Sequence, residues 1–181
     1  MAECLLVIDV QRGFEERTEE RTNPTAESNI ARLLAAFRKA GRPVIHVRHA
    51  SIEPNSPLRP ELPGHAPSAV AVEQPGEPVL VKSVNDAFAG TDLERRLRDG
   101  GLTRIITVGV QTDHCVSTTV RQGSDLGFDM VLVDDATWTY ARHHPDGTLI
   151  DAATMQRVNV ASLSGEFCDV TTTDEVIAEL S

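Results

Sequence analysis

The amino-acid sequence predicts an α/β fold around a parallel sheet, and three observations carry the prediction. Short runs of Val, Ile and Leu alternate with segments of helical period along the whole chain. The runs are continuously apolar, the pattern of strands buried from both sides by helices. Glycine, threonine and aspartate stand at the joints, where helix caps belong.

Taken in order, CLLVID (residues 4–9) is the first predicted strand, followed by the helical stretch ESNIARLLAAFRKAG. In that helix Ile30, Leu33, Leu34 and Phe37 share one face and are predicted to pack on the sheet. PVIHVRH ends at His49 and gives way to residues 50–78, rich in proline and without a period, predicted as a binding loop, lid or contact surface. PVLVK ends at Lys82, and TDLERRLRDGG follows with Thr91-Asp92 before it and Gly100-Gly101 after it; Gly41 ends the first helix in the same way. RIITVGV is followed by CVSTTVRQGSDLG, MVLVDDA by DAATMQRVNVASLSG, and a short DV by TDEVIAEL. Between the last of these, YARHHPDG (Tyr140 to Gly147) reads as a polar loop closing on a Pro-Asp-Gly turn.

At 181 residues the chain is predicted to form one domain, residues 1–181, and 40% hydrophobic with 24% charged residues suits a packed core. A formal net charge of -10 weighs against nucleic acid and anionic membranes as partners. The N-terminal MAECLLVIDVQ has no basic leader, and its apolar run stops at Asp9, too short for a signal segment or membrane span. Three cysteines without a CxxC support neither a disulfide scaffold nor a zinc ribbon, so a reducing cytoplasm is expected. Cys4 and Cys168 lie in apolar runs and read as core.

In open α/β sheets ligands bind beyond the carboxyl ends of strands, which directs attention to three residues. Asp9 closes the first strand, Lys82 closes another, and Cys115 follows the loop after RIITVGV. A carboxylate at Asp9 serves equally to cap a turn. A buried Lys82 ammonium is costly unless paired, and Asp9 is the natural partner; otherwise the side chain snorkels to solvent. If a helix starts near His114, its positive end and Lys82 are expected to lower the Cys115 pKa, while Asp9 opposes them and offers a base. His114, adjacent to the thiol, points elsewhere and is not the base. Gly109 relaxes the backbone, Thr112 or Asp113 caps the helix, and N–H groups there can converge on an oxyanion.

Four separated stretches, LLVIDVQRGF, VKSVNDAFAGTDLERRL, VGVQTDHCVSTTVRQGSDLGF and MVLVDDATWT, resemble the isochorismatase-like cysteine hydrolases. That family includes nicotinamidases, N-carbamoylsarcosine amidohydrolase and streptothricin hydrolase. The resemblance implies a three-layer α/β/α fold with a six-stranded parallel sheet. It also implies a catalytic triad of Cys115 as nucleophile, Asp9 as base and Lys82 as the cation. A non-proline cis peptide is implied at Val110-Gln111, with the N–H groups of Gln111 and Cys115 as the oxyanion hole. Phe14, Val110 and Gln111 become pocket residues by the same resemblance, and Asn85, Phe88 and Trp138 either join them or simply pack.

In nicotinamidases the second strand is followed by an Asp-x-His metal pattern; here His49 and Ser51 hold those positions, so no metal is expected, although His49 and His65 could meet across the proline-rich loop. A cysteine at position 115 argues against the vinyl-ether hydrolysis of true isochorismatases. The expected activity is hydrolysis of a small amide, lactam or carbamoyl compound without a cofactor, in a homo-oligomer, a dimer or tetramer. The competing readings are a ligand-binding scaffold of the same fold, a nicotinamidase-type enzyme with an altered metal site, and a redox thiol, which lacks a neighbouring resolving cysteine.

Overall fold

A computed structural model describes residues 2–180. The strands are β1 (Glu3–Ile8), β2 (Val44–His49), β3 (Val79–Lys82), β4 (Arg104–Val110), β5 (Asp129–Trp138), β6 (Arg142–His143), β7 (Leu149–Ile150) and β8 (Asp169–Thr171). The helices are α1 (Ala26–Lys39), α2 (Leu93–Asp99), α3 (Ser117–Asp125), α4 (Ala152–Leu163) and α5 (Thr173–Glu179). Six strands form one sheet in the order β3-β2-β1-β4-β5-β8, every pairing parallel. The expected six-stranded parallel sheet is therefore present.

Period two in β1 distributes its side chains to two cores. Leu5 and Val7 join Ile30, Leu33, Leu34 and Phe37 of α1 and Val176 of α5 on one face. Cys4, Leu6 and Ile8 join Leu93 and Leu97 of α2, Val120 of α3 and Leu163 of α4 on the other. The four apolar residues of α1 are at most 1% exposed, and burying each contributes about 1.5–3 kcal/mol. Cys4 and Cys168 are buried free thiols in the second core, as their apolar contexts predict.

Helix ends follow the predicted punctuation. Gly41 and Gly101 adopt φ of +64° and +63° just past α1 and α2, the left-handed conformation that ends helices. Before α2 the Thr91 hydroxyl accepts from the Leu93 N–H at 3.2 Å. The stretch from Tyr140 to Gly147 contributes to a small hairpin, β6 paired antiparallel with β7. No helix among the described residues is long and apolar enough to cross a membrane.

The chain leaves β1 toward β2 and β3 on one side, then returns to β4 on the other. The carboxyl ends of β1 and β4 therefore flank the point where strand order reverses, which opens a crevice there.

Candidate active site

Each polar group reaches this crevice by a local device. Asp9 follows β1 with φ +55°, a left-handed conformation that aspartate tolerates better than most residues, and its N–H still donates to the Val47 carbonyl at 2.9 Å. Lys82 is the last residue of β3, and its carbonyl accepts from the Ala50 N–H at 2.7 Å. Gly109 near the end of β4 has φ +128°, and a Cβ there would lie 2.0 Å from the Ile8 carbonyl oxygen. Only glycine lets β4 run so close to the end of β1. The Val110-Gln111 peptide is cis, at the bond the family resemblance implies.

A single wide helical turn, Thr112–Val116, then leads into α3. The helical path starts before the expected His114, and its cap differs too. Gln111 is the N-cap and makes no side-chain cap bond; the Thr112 hydroxyl is buried without a partner, and Asp113 instead accepts from Thr139 and Arg142. Arg142 also donates to the Gln111 side-chain carbonyl, so one guanidinium holds both the N-cap residue and Asp113 of the turn.

These elements bring Asp9, Lys82 and Cys115 together from positions 73 and 33 residues apart. Lys82 Nζ lies 2.6 Å from Asp9 Oδ2, 3.3 Å from Cys115 Sγ and 3.1 Å from His49 Nδ1. Both side chains of the Asp9-Lys82 pair are fully buried, so the ammonium pairs rather than snorkels. Asp9 Oδ1 has no hydrogen-bond partner, and the Asp9, His49 and Cys115 polar atoms fall within 4.8 Å of one another. Cys115 Sγ lies 3.6 Å from Asn85 Oδ1.

A cavity of about 280 Å³ opens on this cluster, walled by Phe14 and Arg17 on one side, Pro57 and Leu58 of the proline-rich loop on another, and Asn85 and Gln111 near the sulfur. A groove of about 760 Å³ elsewhere is larger but more open, and its Arg38, Arg95 and Arg96 are already ion-paired. The smaller cavity is the one that Asp9 and Cys115 line.

Of the expected pocket residues, Phe14, Asn85 and Gln111 line the cavity, and Val110, Phe88 and Trp138 do not. Val110 is wholly buried in the core because β4 is an interior strand. Phe88 stacks on Phe128 at 5.9 Å between ring centroids. Trp138 is buried with its indole N–H donating to the Tyr140 hydroxyl, which donates in turn to the Phe14 carbonyl. It supports the pocket from behind.

Sequence reasoning also missed Gln11, which is 1% exposed. Its amide accepts from the His49 N–H at 2.8 Å and donates to the His49 and His65 carbonyls at 3.1 and 2.9 Å. One side chain thereby ties the segment after β1 to the end of β2 and the proline-rich loop. Gln11 stands two residues after Asp9 inside an already quoted motif, but nothing local reveals its partners.

The electrostatics correct one expectation. The Cys115 thiol is pushed up to about 12, chiefly by burial and then by the Asp9 charge, against which Lys82 is insufficient. Burial likewise raises the Asp9 carboxyl despite the neighbouring Lys82, making it a stronger base. Burial, then the Lys82 charge, lowers the His49 imidazole and keeps it neutral.

A nicotinamidase-type metal does not fit these residues. The His49 ring nitrogen is engaged with the Lys82 ammonium, and the Ser51 hydroxyl accepts from the Glu53 N–H at 3.2 Å. His49 and His65 meet through the Gln11 amide and their backbones.

Residues 3–175 match the family model of the isochorismatase domain. The chain is 37% identical over 175 residues to the uncharacterized isochorismatase family protein YrdC of Bacillus subtilis, covering 96% of this chain and 94% of that one. It is 34% identical over 139 residues to streptothricin hydrolase of Streptomyces noursei, covering 76% of this chain and 50% of the relative. A crystal structure of an isochorismatase-family protein from Chromobacterium violaceum superposes with a TM-score of 0.94 at 38% identity, covering 98% and 93% of the two chains. With this fold, this crevice and these likenesses, the chain belongs to the isochorismatase family of hydrolases.

Proposed function

We propose that the protein is a cysteine amidohydrolase that cleaves the C–N bond of a small amide, lactam or carbamoyl compound. One observation carries this reading: Lys82 occupies one Asp9 oxygen, the other is buried without an ordinary hydrogen bond, and the carboxyl and the Cys115 thiol interact at close range. A lone acceptor in that position is costly unless it has a proton to receive.

Because burial keeps the Cys115 proton in place, attack on the carbonyl carbon proceeds as that proton passes to Asp9. The carbonyl oxygen becomes an oxyanion held by the N–H groups of Gln111 and Cys115. Lys82, 3.3 Å from the sulfur, offsets the growing negative charge. Collapse breaks the C–N bond, Asp9 returns the proton to the departing nitrogen, and a thioester remains. Asp9 then takes a proton from water, which attacks the thioester, releases the acid and restores the thiol.

The cavity of about 280 Å³ restricts the substrate to a small molecule, with Phe14 and Leu58 as apolar walls and Asn85 and Gln111 as polar ones. An ammonia- or amine-release screen over small amides, lactams and carbamoyl compounds tests the reading. Cys115→Ala is expected to lose at least about a thousandfold in turnover while remaining folded. A Cys115→Ala protein turning over at the wild-type rate overturns the proposal.

A further inference from the structure

A lysine ammonium has three N–H donors and no acceptor, so a wholly buried one needs three acceptors. Lys82 has three: Asp9 Oδ2 at 2.6 Å, Cys115 Sγ at 3.3 Å and His49 Nδ1 at 3.1 Å. Two of them belong to the reaction proposed above. The third has no part in that scheme, yet it is held as firmly as the others.

His49 is the last residue of β2, paired in register with Lys82 on β3. The buried Gln11 amide fixes its backbone on both sides, bonding the N–H and the carbonyl. With its ring proton on Nε2, the neutral imidazole presents Nδ1 as an acceptor 3.1 Å from the ammonium. Desolvation and the Lys82 charge keep the ring neutral, and a neutral ring is what an acceptor must be. Facing it are Lys82, Asp9 and Cys115, with His65 contributing a weaker repulsion.

We infer that His49 is a positioning residue of the reaction: by accepting the third Lys82 proton it holds the ammonium against Cys115 Sγ, where the charge develops. The inference rests on the reading of Cys115 and Lys82 as the reacting pair. Without His49, one ammonium proton is left buried with no acceptor. The ammonium then relieves that cost by turning away from the sulfur or losing its charge.

The test needs no knowledge of the substrate. Iodoacetamide modification of Cys115 is followed by mass spectrometry of its peptide in wild type, His49→Leu and His49→Asn, all shown folded by circular dichroism. Leucine removes the acceptor, whereas an asparagine carbonyl replaces Nδ1 at similar reach. His49→Leu is expected to react at least about tenfold more slowly and His49→Asn within about threefold of wild type, as one charge-assisted hydrogen bond implies. Equal rates in wild type and His49→Leu overturn the inference alone, as does His49→Asn reacting as slowly as His49→Leu. A wild-type Cys115 that does not react overturns both this inference and the reading of the thiol as nucleophile.

Discussion

The ion pair of Asp9 and Lys82 lies wholly out of solvent, and its energetics set the consequences of changing either member. Removing one charge strands the other, which costs about 3–5 kcal/mol, whereas removing both is close to neutral for stability. Asp9→Asn is therefore expected to lower stability in a denaturant titration and to cut turnover by at least about a hundredfold. Asp9→Asn combined with Lys82→Met is expected to regain most of the stability and none of the activity. A double variant that remains as unstable as the single one contradicts this account of the pair. Recovery of turnover in the double variant contradicts the base role of Asp9. The same burial acts on the thiol and raises it to about 12, so in the proposed scheme the attack needs a nearby base rather than a standing thiolate.

At the level of elements, the approach of β4 to β1 depends on Gly109. Its φ of +128° is strained for any residue with a Cβ, and the Ile8 carbonyl oxygen would lie 2.0 Å from that atom. Gly109→Ala must push the strands apart just where Asp9 and Gln111 leave them. The expected cost is about 2–4 kcal/mol with loss of Cys115 reactivity, measured by thermal melting and thiol modification together. An alanine variant with unchanged melting temperature removes the requirement for glycine there. The turn after β4 is fixed from another element, since Arg142 of β6 reaches both Asp113 and Gln111. A hairpin that reads in sequence as a polar loop thus braces the turn that carries Cys115.

For the molecule as a whole, the end of the sheet remote from the cavity is closed by Glu77. It accepts from Arg38 of α1 at 2.7 and 2.8 Å and from the Gln74 N–H at 2.8 Å, and it meets His46 of β2 at 3.0 Å. Hydrogen bonding to Arg38, the largest effect, holds the Glu77 carboxyl down to about 2, below its ordinary 4.5. The unfolded chain therefore takes up the proton first on acidification. Stability from this group is complete above 4.5 and is lost as pH falls toward about 2. Glu77→Gln is expected to melt below wild type at pH 7, with the difference shrinking on acidification through that window. A difference independent of pH contradicts the linkage.

The sequence by itself determined the strand-helix alternation, the core face of α1, the caps at Gly41 and Gly101, and the candidacy of Asp9, Lys82 and Cys115. All of these are written in local patterns, because periodic burial and the residue that ends a strand are properties of short segments. Only the tertiary structure decided which side chains meet. His49, Gln11 and Arg142 join the site through strand register and a hairpin, while Phe88 and Trp138 turn into packing, and no local pattern distinguishes those fates. The thiol's proton affinity belongs to the same class. It is a balance of desolvation, one carboxylate and one ammonium, and a sequence names these contributors without the distances that weigh them.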